Sequence, residues 1–256
     1  SNKSLAHYLH FVHYRALAEL KRDASNMFLG SAWWIIEPVL YMAVFYVVFG
    51  LGLRKGGIDY VCFLLCALVP WKWFESTLKT ASNTIYNSAG LMRQVYFPKW
   101  ILPAYVIAAN SYKFFIVLVL LLGFIAWSND GPTMEWFWLI PIVSLQFIVI
   151  IGMSLFFSAL VPLVPDLRYV IAYGLTLLFF LSGIFFDIND LAEPIRSYLT
   201  WLPTVLVIDM YRDVLLQNSE PNPLHLLLLS IQGLTFYVVA RIILFKLDRY
   251  YPRVIA

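Results

Sequence analysis

Charged residues are scarce in this chain of 256 residues, because Asp, Glu, Lys and Arg together make up only 13% of it. Apolar residues account for 61% and aromatic residues for 18%. Soluble domains contain about 45–50% apolar and about 25% charged residues, so this composition excludes a soluble globular protein. The small net charge of +3 gives no indication of a nucleic acid partner.

Motifs for phosphate binding, hydrolysis and metal binding are also missing. The sequence has no G-x-x-x-x-G-K-[ST] loop, and its nearest glycine pair is Gly56 and Gly57. It has neither H-E-x-x-H nor G-x-S-x-G. The only cysteines, Cys62 and Cys66, are more typical of small apolar fillers than of a redox or metal pair. We therefore expect no catalytic residue, metal or bound cofactor, and the chain alone cannot hydrolyse ATP.

Six stretches are long and apolar enough to cross a bilayer, which takes about 20 mainly apolar residues as a helix. We therefore expect an all-α integral membrane protein whose 256 residues form a single transmembrane domain. The predicted spans are residues 33–53, 60–80, 104–127, 137–161, 169–186 and 224–245.

Lys and Arg residues are concentrated in every second connection between these spans. Six spans place both termini on one side of the membrane, and the side richer in Lys and Arg is the cytoplasmic one. The terminal side carries Lys3, Arg15, Lys21, Arg22, Lys79, Arg93, Lys99, Arg168, Arg241, Lys246, Arg249 and Arg253. The opposite side carries Arg54, Lys55, Arg196 and Arg212. We therefore expect both termini in the cytoplasm.

Three segments outside the spans are predicted to form helices of their own. Residues 1–32 contain an amphipathic helix over 4–25, which suits the membrane interface or a partner protein. Residues 82–103 should form a short helix that ends before Pro98, as a cytoplasmic docking element or a plain connecting loop. Residues 187–222 contain short apolar runs that suit re-entrant helices at an exterior gate or an ordinary folded loop. Residues 223–256 contain the last span and a cytoplasmic tail.

Charged residues inside a bilayer are costly and indicate either function or structural ion pairs. Lys72, Glu75 and Lys79 are spaced by three and four residues on one face of span 2, so Glu75 can pair with either lysine. A pair with Lys72 could serve packing or function. The other intramembrane polar candidates are Glu37, Asn110 and Lys113. The middle of spans 4, 5 and 6 holds no carboxylate, which disfavours an ion-coupled carrier.

Aromatic residues occur within the spans as well as at their ends. Tyr41, Phe45 and Phe49 recur at i, i+4 and i+8, so they form a stripe along span 1. Aromatic faces can stack on the C–H faces of sugar rings, whereas the alternative is packing against lipid or neighbouring helices. The candidate sugar-path aromatics are Trp33, Trp34, Tyr41, Phe45, Tyr46, Phe49, Phe179 and Phe180.

Three short motifs follow one another in a characteristic order. They are Leu29-Gly-Ser-Ala-Trp-Trp-Ile-Ile-Glu-Pro38, Val95-Tyr-Phe-Pro-Lys-Trp-Ile-Leu-Pro103 and Val164-Pro-Asp-Leu-Arg168. With these motifs after an amphipathic N-terminal helix, the chain resembles the membrane subunit of type 2 ATP-binding-cassette exporters over essentially its whole length. It is most similar to the O-antigen permeases, with capsule and teichoic acid permeases close by.

The resemblance implies a permease subunit that exports a lipid-linked polysaccharide across the bacterial inner membrane. It implies a homodimer bound to two copies of a cytoplasmic ATPase that hold the ATP and Mg, in contact with membrane lipids. Spans 1, 2 and 5 would line a path at the dimer axis. The residues implied in ATPase contact are Asn83, Tyr86, Asn87, Leu91 and Arg93. Those implied in the exterior gate are Asp187, Pro194, Arg196, Pro203, Asp209 and Arg212.

Two other classes of function stay open at this point. A drug or small-lipid exporter of the same superfamily would usually carry a large exterior domain or a fused ATPase, and neither is evident. An intramembrane glycosyl- or acyltransferase would need an aspartate or histidine constellation at a membrane face. The only candidates for that constellation are Asp187, Asp190, Asp209 and Asp213.

Overall fold

The computed structural model describes residues 5–25, 30–45, 47–48, 58–94, 97–128, 131–248 and 250–251, and within these ranges the chain is helical with no strand. The helices are α1 (Leu5–Ser25), α2 (Trp33–Phe45), α3 (Ile58–Ala81), α4 (Thr84–Asn87), α5 (Ala89–Gln94), α6 (Ile101–Ser128), α7 (Leu139–Leu160), α8 (Leu167–Leu181), α9 (Ile195–Leu199), α10 (Pro203–Leu215) and α11 (Pro223–Leu247). Short 3₁₀ turns cover Gly30–Ala32, Met134–Trp138 and Ile188–Asp190.

Four helical segments of the described chain are long and apolar enough to cross a membrane. They coincide with predicted spans 2, 3, 4 and 6 and are Ile58–Asn87, Ile101–Ser128, Met134–Leu160 and Pro223–Leu247. The helices α2 and α8, at the predicted spans 1 and 5, have 13 and 15 residues. Because a crossing takes about 20 residues, neither helix spans a bilayer by its described length. Residues 46 and 49–53 of predicted span 1 lie outside the described residues.

The central helix of the bundle is α3, whose apolar surface is buried on most sides by α6, α7 and α10. Pro70 lies inside α3, and its carbonyl oxygen accepts a hydrogen bond from Nε2 of Gln146 on α7 at 2.9 Å. The hydroxyl of Tyr211 on α10 donates to Oε1 of Gln146 at 3.1 Å. Buried amide groups need such partners, so this polar chain fixes the register of three helices.

The helices α7 and α11 form the most extensive helix pair, and they approach most closely at Gly152 and Gly233. Small residues let two helix backbones approach closely, which strengthens packing where surrounding lipid supplies no hydrophobic driving force. The α7–α11 pair packs beside α3 through α7.

The predicted helices outside the spans are present. The N-terminal helix α1 packs lengthwise on α6, with Val12 and Ala16 buried, and Nδ1 of His13 lies 2.7 Å from the Tyr112 hydroxyl. The connection after α3 forms α4 and α5, and Pro98 follows them, as the sequence indicates. The segment after α8 forms α9 and α10, and a membrane-inserted position for it stays a prediction.

Candidate functional site

A cavity of about 230 Å³ lies between α1, α2, α3 and α6. It contains side chains from both the predicted aromatic set and the predicted polar set. Its lining includes Trp33, Trp34, Glu37, Tyr41, Lys72, Trp73, Asn110, Lys113, Phe114 and, from α1, Asp23. Ligand sites are typically concave and mostly apolar with a few convergent polar groups, so this cavity is a candidate binding site.

Lys72 connects α3 to α2 at the cavity. Its Nζ lies 3.1 Å from Oε1 of Glu37 and 3.3 Å from Oε2 of Glu75, and it sits 4.7 Å from the centroid of the Tyr41 ring. The pairing of Lys72 with Glu75 was predicted from their spacing, and the structure confirms it. The contact with Glu37 crosses between two helices, so spacing alone does not indicate it.

A second cation is held in the same way on the α1 side of the cavity. Nζ of Lys113 on α6 lies 2.7 Å from Oδ2 of Asp23 on α1 and 5.5 Å from the centroid of the Trp34 ring. One turn earlier, Nδ2 of Asn110 donates to the Thr80 hydroxyl of α3 at 3.1 Å. The first turn of α2 therefore contacts α6 through a cation and an aromatic ring, and α6 is tied to α1 by an ion pair.

The cavity lining carries two ammonium groups, Lys72 and Lys113, and two carboxylates, Asp23 and Glu37, so the charges of the lining itself balance. Glu75 beside Lys72 adds a further carboxylate, so no positive charge is left in excess. A multiply charged anion would compete with those carboxylates for the lysines. Flat aromatic faces beside paired donors and acceptors instead suit a neutral ligand that is rich in hydroxyl groups and has apolar C–H faces.

The predicted sugar-path aromatics are divided between two places. Trp33, Trp34 and Tyr41 line the cavity. On α8, Phe179 packs on Trp71 with ring centroids 5.8 Å apart, whereas Phe180 is 57% exposed. The predicted Tyr46 and Phe49 and the side chain of Phe45 lie outside the described residues. The aromatic stripe along span 1 therefore stays a prediction beyond Tyr41.

An exposed face of α8 extends this aromatic set and was missed in the sequence. Tyr169, Tyr173 and Leu177 recur at i, i+4 and i+8 and are each more than 60% exposed, and Phe180 continues the row. The same face spacing that drew attention to span 1 would have found them. This row, Tyr169, Tyr173, Leu177 and Phe180, is called the α8 open face below.

The predicted ATPase-coupling residues lie at the start of α4, within it and in α5. Nδ2 of Asn83 donates to the Lys79 carbonyl at 2.8 Å, which closes the end of α3, and Asn87 is exposed. The Tyr86 ring lies under the guanidinium of Arg168 at the start of α8, with 4.4 Å from Cζ to the ring centroid. The side chains of Leu91 and Arg93 lie outside the described set.

Arg212 on α10 is the best-connected of the predicted exterior gate residues. It is only 4% exposed, and its guanidinium donates to the Gly183 carbonyl at 2.8 Å and to the Ile184 carbonyl at 3.0 Å. Its Cζ also lies 3.4 Å from the centroid of the Phe63 ring on α3. Gly183 has a φ of +72°, which a residue with a side chain rarely adopts. Arg212 therefore fixes the turn that ends α8.

Three further predicted gate residues lie between α8 and α10, and Pro203 begins α10. Oδ1 of Asp187 accepts from the backbone N–H of Asn189 at 2.8 Å, and Nη2 of Arg196 donates to Oδ1 of Asn189 at 2.8 Å. Pro194 follows a cis peptide bond, and Pro203 occupies the first turn of α10, where its missing N–H costs nothing.

Asp209 is a titratable group among the predicted gate residues. It lies outside the four candidate spans, and burial raises its pKa to about 7, against the opposing effect of the Arg212 cation. Burial also lowers the pKa of Arg212 to about 10. Near neutral pH the Arg212 guanidinium therefore keeps its charge, while Asp209 is partly protonated.

Residues 15–216 match the sequence profile described as ABC-2 type transporter, which covers more than three quarters of the chain. The chain belongs to the ABC-2 type transporter family. Its helical spans agree with the membrane domain of such a transporter, and it is a multi-pass membrane protein.

Several proteins that are similar in sequence to this chain carry names that describe transport. It is 26% identical over 230 residues to the O-antigen export system permease protein RfbA of Klebsiella pneumoniae, covering 90% of this chain and 88% of that protein. It is 25% identical over 206 residues to the protein of the same name from Myxococcus xanthus, covering 80% of this chain and 79% of that protein. The polysialic acid transport protein KpsM of Escherichia coli is 26% identical over 208 residues, covering 78% of this chain and 79% of that protein.

Proposed function

We propose that this chain is the permease subunit of an ATP-driven exporter that moves a lipid-linked polysaccharide of the O-antigen type across the bacterial inner membrane. The observation that carries the proposal is the similarity to O-antigen export permeases over 90% of the chain. The balanced, aromatic cavity supports it, because its chemistry suits a sugar more than an ion.

The working assembly contains two copies of this chain and two copies of a cytoplasmic ATP-binding-cassette ATPase. The ATP and Mg bind to the partner ATPase, in keeping with a sequence that has no phosphate-binding glycine loop. In this assembly α4 is the docking element for the ATPase, and the exposed Asn87 lies on its surface.

The proposed topology has six spans with both termini in the cytoplasm. α2 and α8 supply the first and fifth spans, together with flanking residues. The alternation of Lys and Arg between connections supports the orientation, since basic residues are retained on the cytoplasmic side. The segment 187–222, with α9 and α10, then forms the exterior gate as re-entrant helices, whose backbone must be surrounded by protein or a water-filled path.

The polymer path follows the dimer axis between the first, second and fifth spans. The α8 open face and the exposed rings of α2 face this path, and the cavity at Trp34 and Tyr41 opens beside it. Each stacking contact is weak, so a repetitive polymer can step from one ring to the next. When ATP binding closes the ATPase dimer, α4 moves and the two membrane halves rotate as rigid bodies.

Export of a capsular polysaccharide is the second candidate. The 26% identity to a polysialic acid transport protein over 78% of the chain favours it. The two candidates differ in the polymer that accumulates inside cells lacking this chain. A lipid A-attached glycan at the surface that disappears with the gene indicates the O-antigen type, whereas loss of a capsule indicates the second.

Alanine substitution of the cavity aromatics tests the sugar role. We expect the double variant W34A with Y41A to export polymer at least about tenfold more slowly, a loss of about 1.4 kcal/mol of favourable interaction. Co-purification with the ATPase should be unchanged. The matched control is Trp127→Ala, which removes a 76% exposed tryptophan at the other end of α6. Normal export by the double variant would rule out the cavity as a sugar contact.

A further inference from the structure

Helix α8 is held at both of its ends by an arginine, and the two arginines contact different functional segments. At the cytoplasmic end, the guanidinium of Arg168 lies over the ring of Tyr86 on α4 at 4.4 Å. At the exterior end, Arg212 of α10 donates to the carbonyls of Gly183 and Ile184, immediately after α8. One helix therefore connects the docking element with the exterior gate segment.

Between these ends α8 is supported along one face only. Ile171 and Leu175 are buried in the core beside α3, whereas the four residues of the α8 open face are 57–73% exposed. A helix of 15 residues is about 22 Å long, and its backbone hydrogen bonds make it stiff along its axis. A displacement at one end of α8 is thus passed to the other end with little loss.

The position of Arg168 is unfavourable for the helix itself. Arg168 lies in the first turn of α8, where the unpaired backbone N–H groups give the helix a partial positive charge that repels a cation. Its Nε donates to the Pro165 carbonyl at 3.0 Å, which directs the guanidinium away from the α8 axis and towards α4. Helix stability alone therefore does not favour an arginine here, whereas its place in a predicted cytoplasmic connection and its contact with Tyr86 do.

We propose that Arg168 is a positioning residue that couples the docking element α4 to the exterior gate through α8. The proposal rests on the proposed transport function, because it assigns the route by which ATPase movement reaches the gate. When α4 moves with the ATPase, the Tyr86–Arg168 stack moves the start of α8. The Arg212 contacts at the other end then carry this displacement to α10.

The test compares export with ATP hydrolysis in the complete complex of this chain and its ATPase in proteoliposomes. For Arg168→Gln we expect export to fall at least about tenfold while ATP hydrolysis stays within about twofold. For Tyr86→Leu, which lies in the docking element itself, we expect the same fall in export. The two changes together should be no worse than either alone, because they remove the same contact. Tyr86→Phe keeps the ring and should restore export.

A control separates the stack from cytoplasmic charge in general. Lys246→Gln removes an exposed cytoplasmic cation at the end of α11 and should leave both activities unchanged. Arg168→Lys keeps the charge without the planar group, so an intermediate export rate is expected. Full export by Arg168→Gln would overturn the proposal, as would a parallel loss of export and ATP hydrolysis.

A second measurement reports movement without depending on polymer. A spin label at Tyr198→Cys on α9, a position that is 75% exposed, measures the distance between the two copies of the gate. We expect ATP to change this distance in the otherwise unaltered complex and not in the Arg168→Gln complex. An equal ATP-dependent change in both would overturn the proposal alone. Absence of export by the unaltered complex would overturn the proposed function as well.

Discussion

A Cβ atom placed on Gly152 of α7 would lie 2.8 Å from the carbonyl oxygen of Gly233 on α11. The same atom would lie 2.9 Å from Cβ of Phe236 and from the Tyr237 backbone nitrogen. Real Cβ atoms do not approach backbone this closely, so the crossing of α7 and α11 requires glycine at position 152. This pair forms the side of the bundle away from the cavity.

Gly152→Ala is therefore expected to force α7 and α11 apart. Overpacking of this kind costs about 1–3 kcal/mol, which lowers the unfolding midpoint of a protein of this size by at least about 2–4 °C. Thermal unfolding in detergent measures it. Gly123→Ala on α6 is the matched control, because a Cβ there meets nothing within 4 Å. A midpoint for Gly152→Ala equal to that of the control would contradict the close crossing.

The ion pair between Lys72 and Glu37 predicts a measurable coupling between α2 and α3. The two side chains are 33% and 56% exposed, so the pair should contribute only about 0.2–1 kcal/mol. A double-mutant cycle with Lys72→Met and Glu37→Gln measures this interaction in the free energy of unfolding. Because Glu75 also contacts Lys72, a second double-mutant cycle combines Lys72→Met with Glu75→Gln. Strict additivity of Lys72→Met and Glu37→Gln would show that the pair does not hold α2.

Asp209 makes stability depend on pH in a defined direction. Burial raises its pKa from the ordinary value of 3.8 to about 7, so the folded state binds more protons than the unfolded state between these values. Stability therefore falls as pH rises from about 4 to about 7, by at most about 1.4 kcal/mol per pH unit, and is level above that range. Nearby charges modify this pKa further: it is lowered by Arg212 and Arg196 and raised by Asp187 and Asp213.

Asp209→Asn removes the titrating proton and isolates this effect. We expect the variant to unfold at a higher temperature than the unaltered protein at pH 8 and the difference to shrink at pH 5. Burial lowers the pKa of Arg212 only to about 10, above this range, so Arg212 keeps its charge between pH 5 and pH 8. Parallel midpoint curves for the two proteins between pH 5 and pH 8 would contradict the raised pKa of Asp209.

The proposed orientation can be measured by cysteine labelling in intact cells. The native Cys62 and Cys66 are buried, so they give little background. A membrane-impermeable maleimide should label Glu220→Cys, in the exposed loop before α11, and should not label Asn87→Cys, which is exposed at the end of α4. After cell lysis and removal of the bound ATPase, both should react. Labelling of Asn87→Cys in intact cells would reverse the assigned orientation.

Long apolar runs predicted the membrane helices well. Predicted span 3, residues 104–127, corresponds to α6 at Ile101–Ser128, and predicted span 6, residues 224–245, to α11 at Pro223–Leu247. An uninterrupted apolar run of this length has no stable alternative to a helix in a bilayer, since every backbone polar group must be paired within the segment. Predicted spans 1 and 5 are the exceptions, because α2 is described over only 13 residues and α8 ends at Leu181 before the Gly183 turn.

The candidate site was predictable residue by residue but not as an assembly. Trp34, Lys72 and Lys113 were each singled out by a local property, either aromatic character or charge within a span. Their convergence on one cavity depends on how α1 and α2 pack against α3 and α6, and no local spacing encodes that packing. Asp23 lies 90 positions from Lys113, so its role at the cavity is visible only in the fold.

Reconstituted export tests the central claim most directly. The chain and the ATP-binding-cassette subunit that co-purifies with it are placed in proteoliposomes, and transfer of a lipid-linked polysaccharide across the bilayer is followed by its access to an added glycosidase. The prediction is transfer that requires both proteins and ATP hydrolysis, with none from this chain alone. Transfer by this chain without the ATPase, or no transfer by the complete complex while it hydrolyses ATP, would contradict a permease subunit of a polysaccharide exporter.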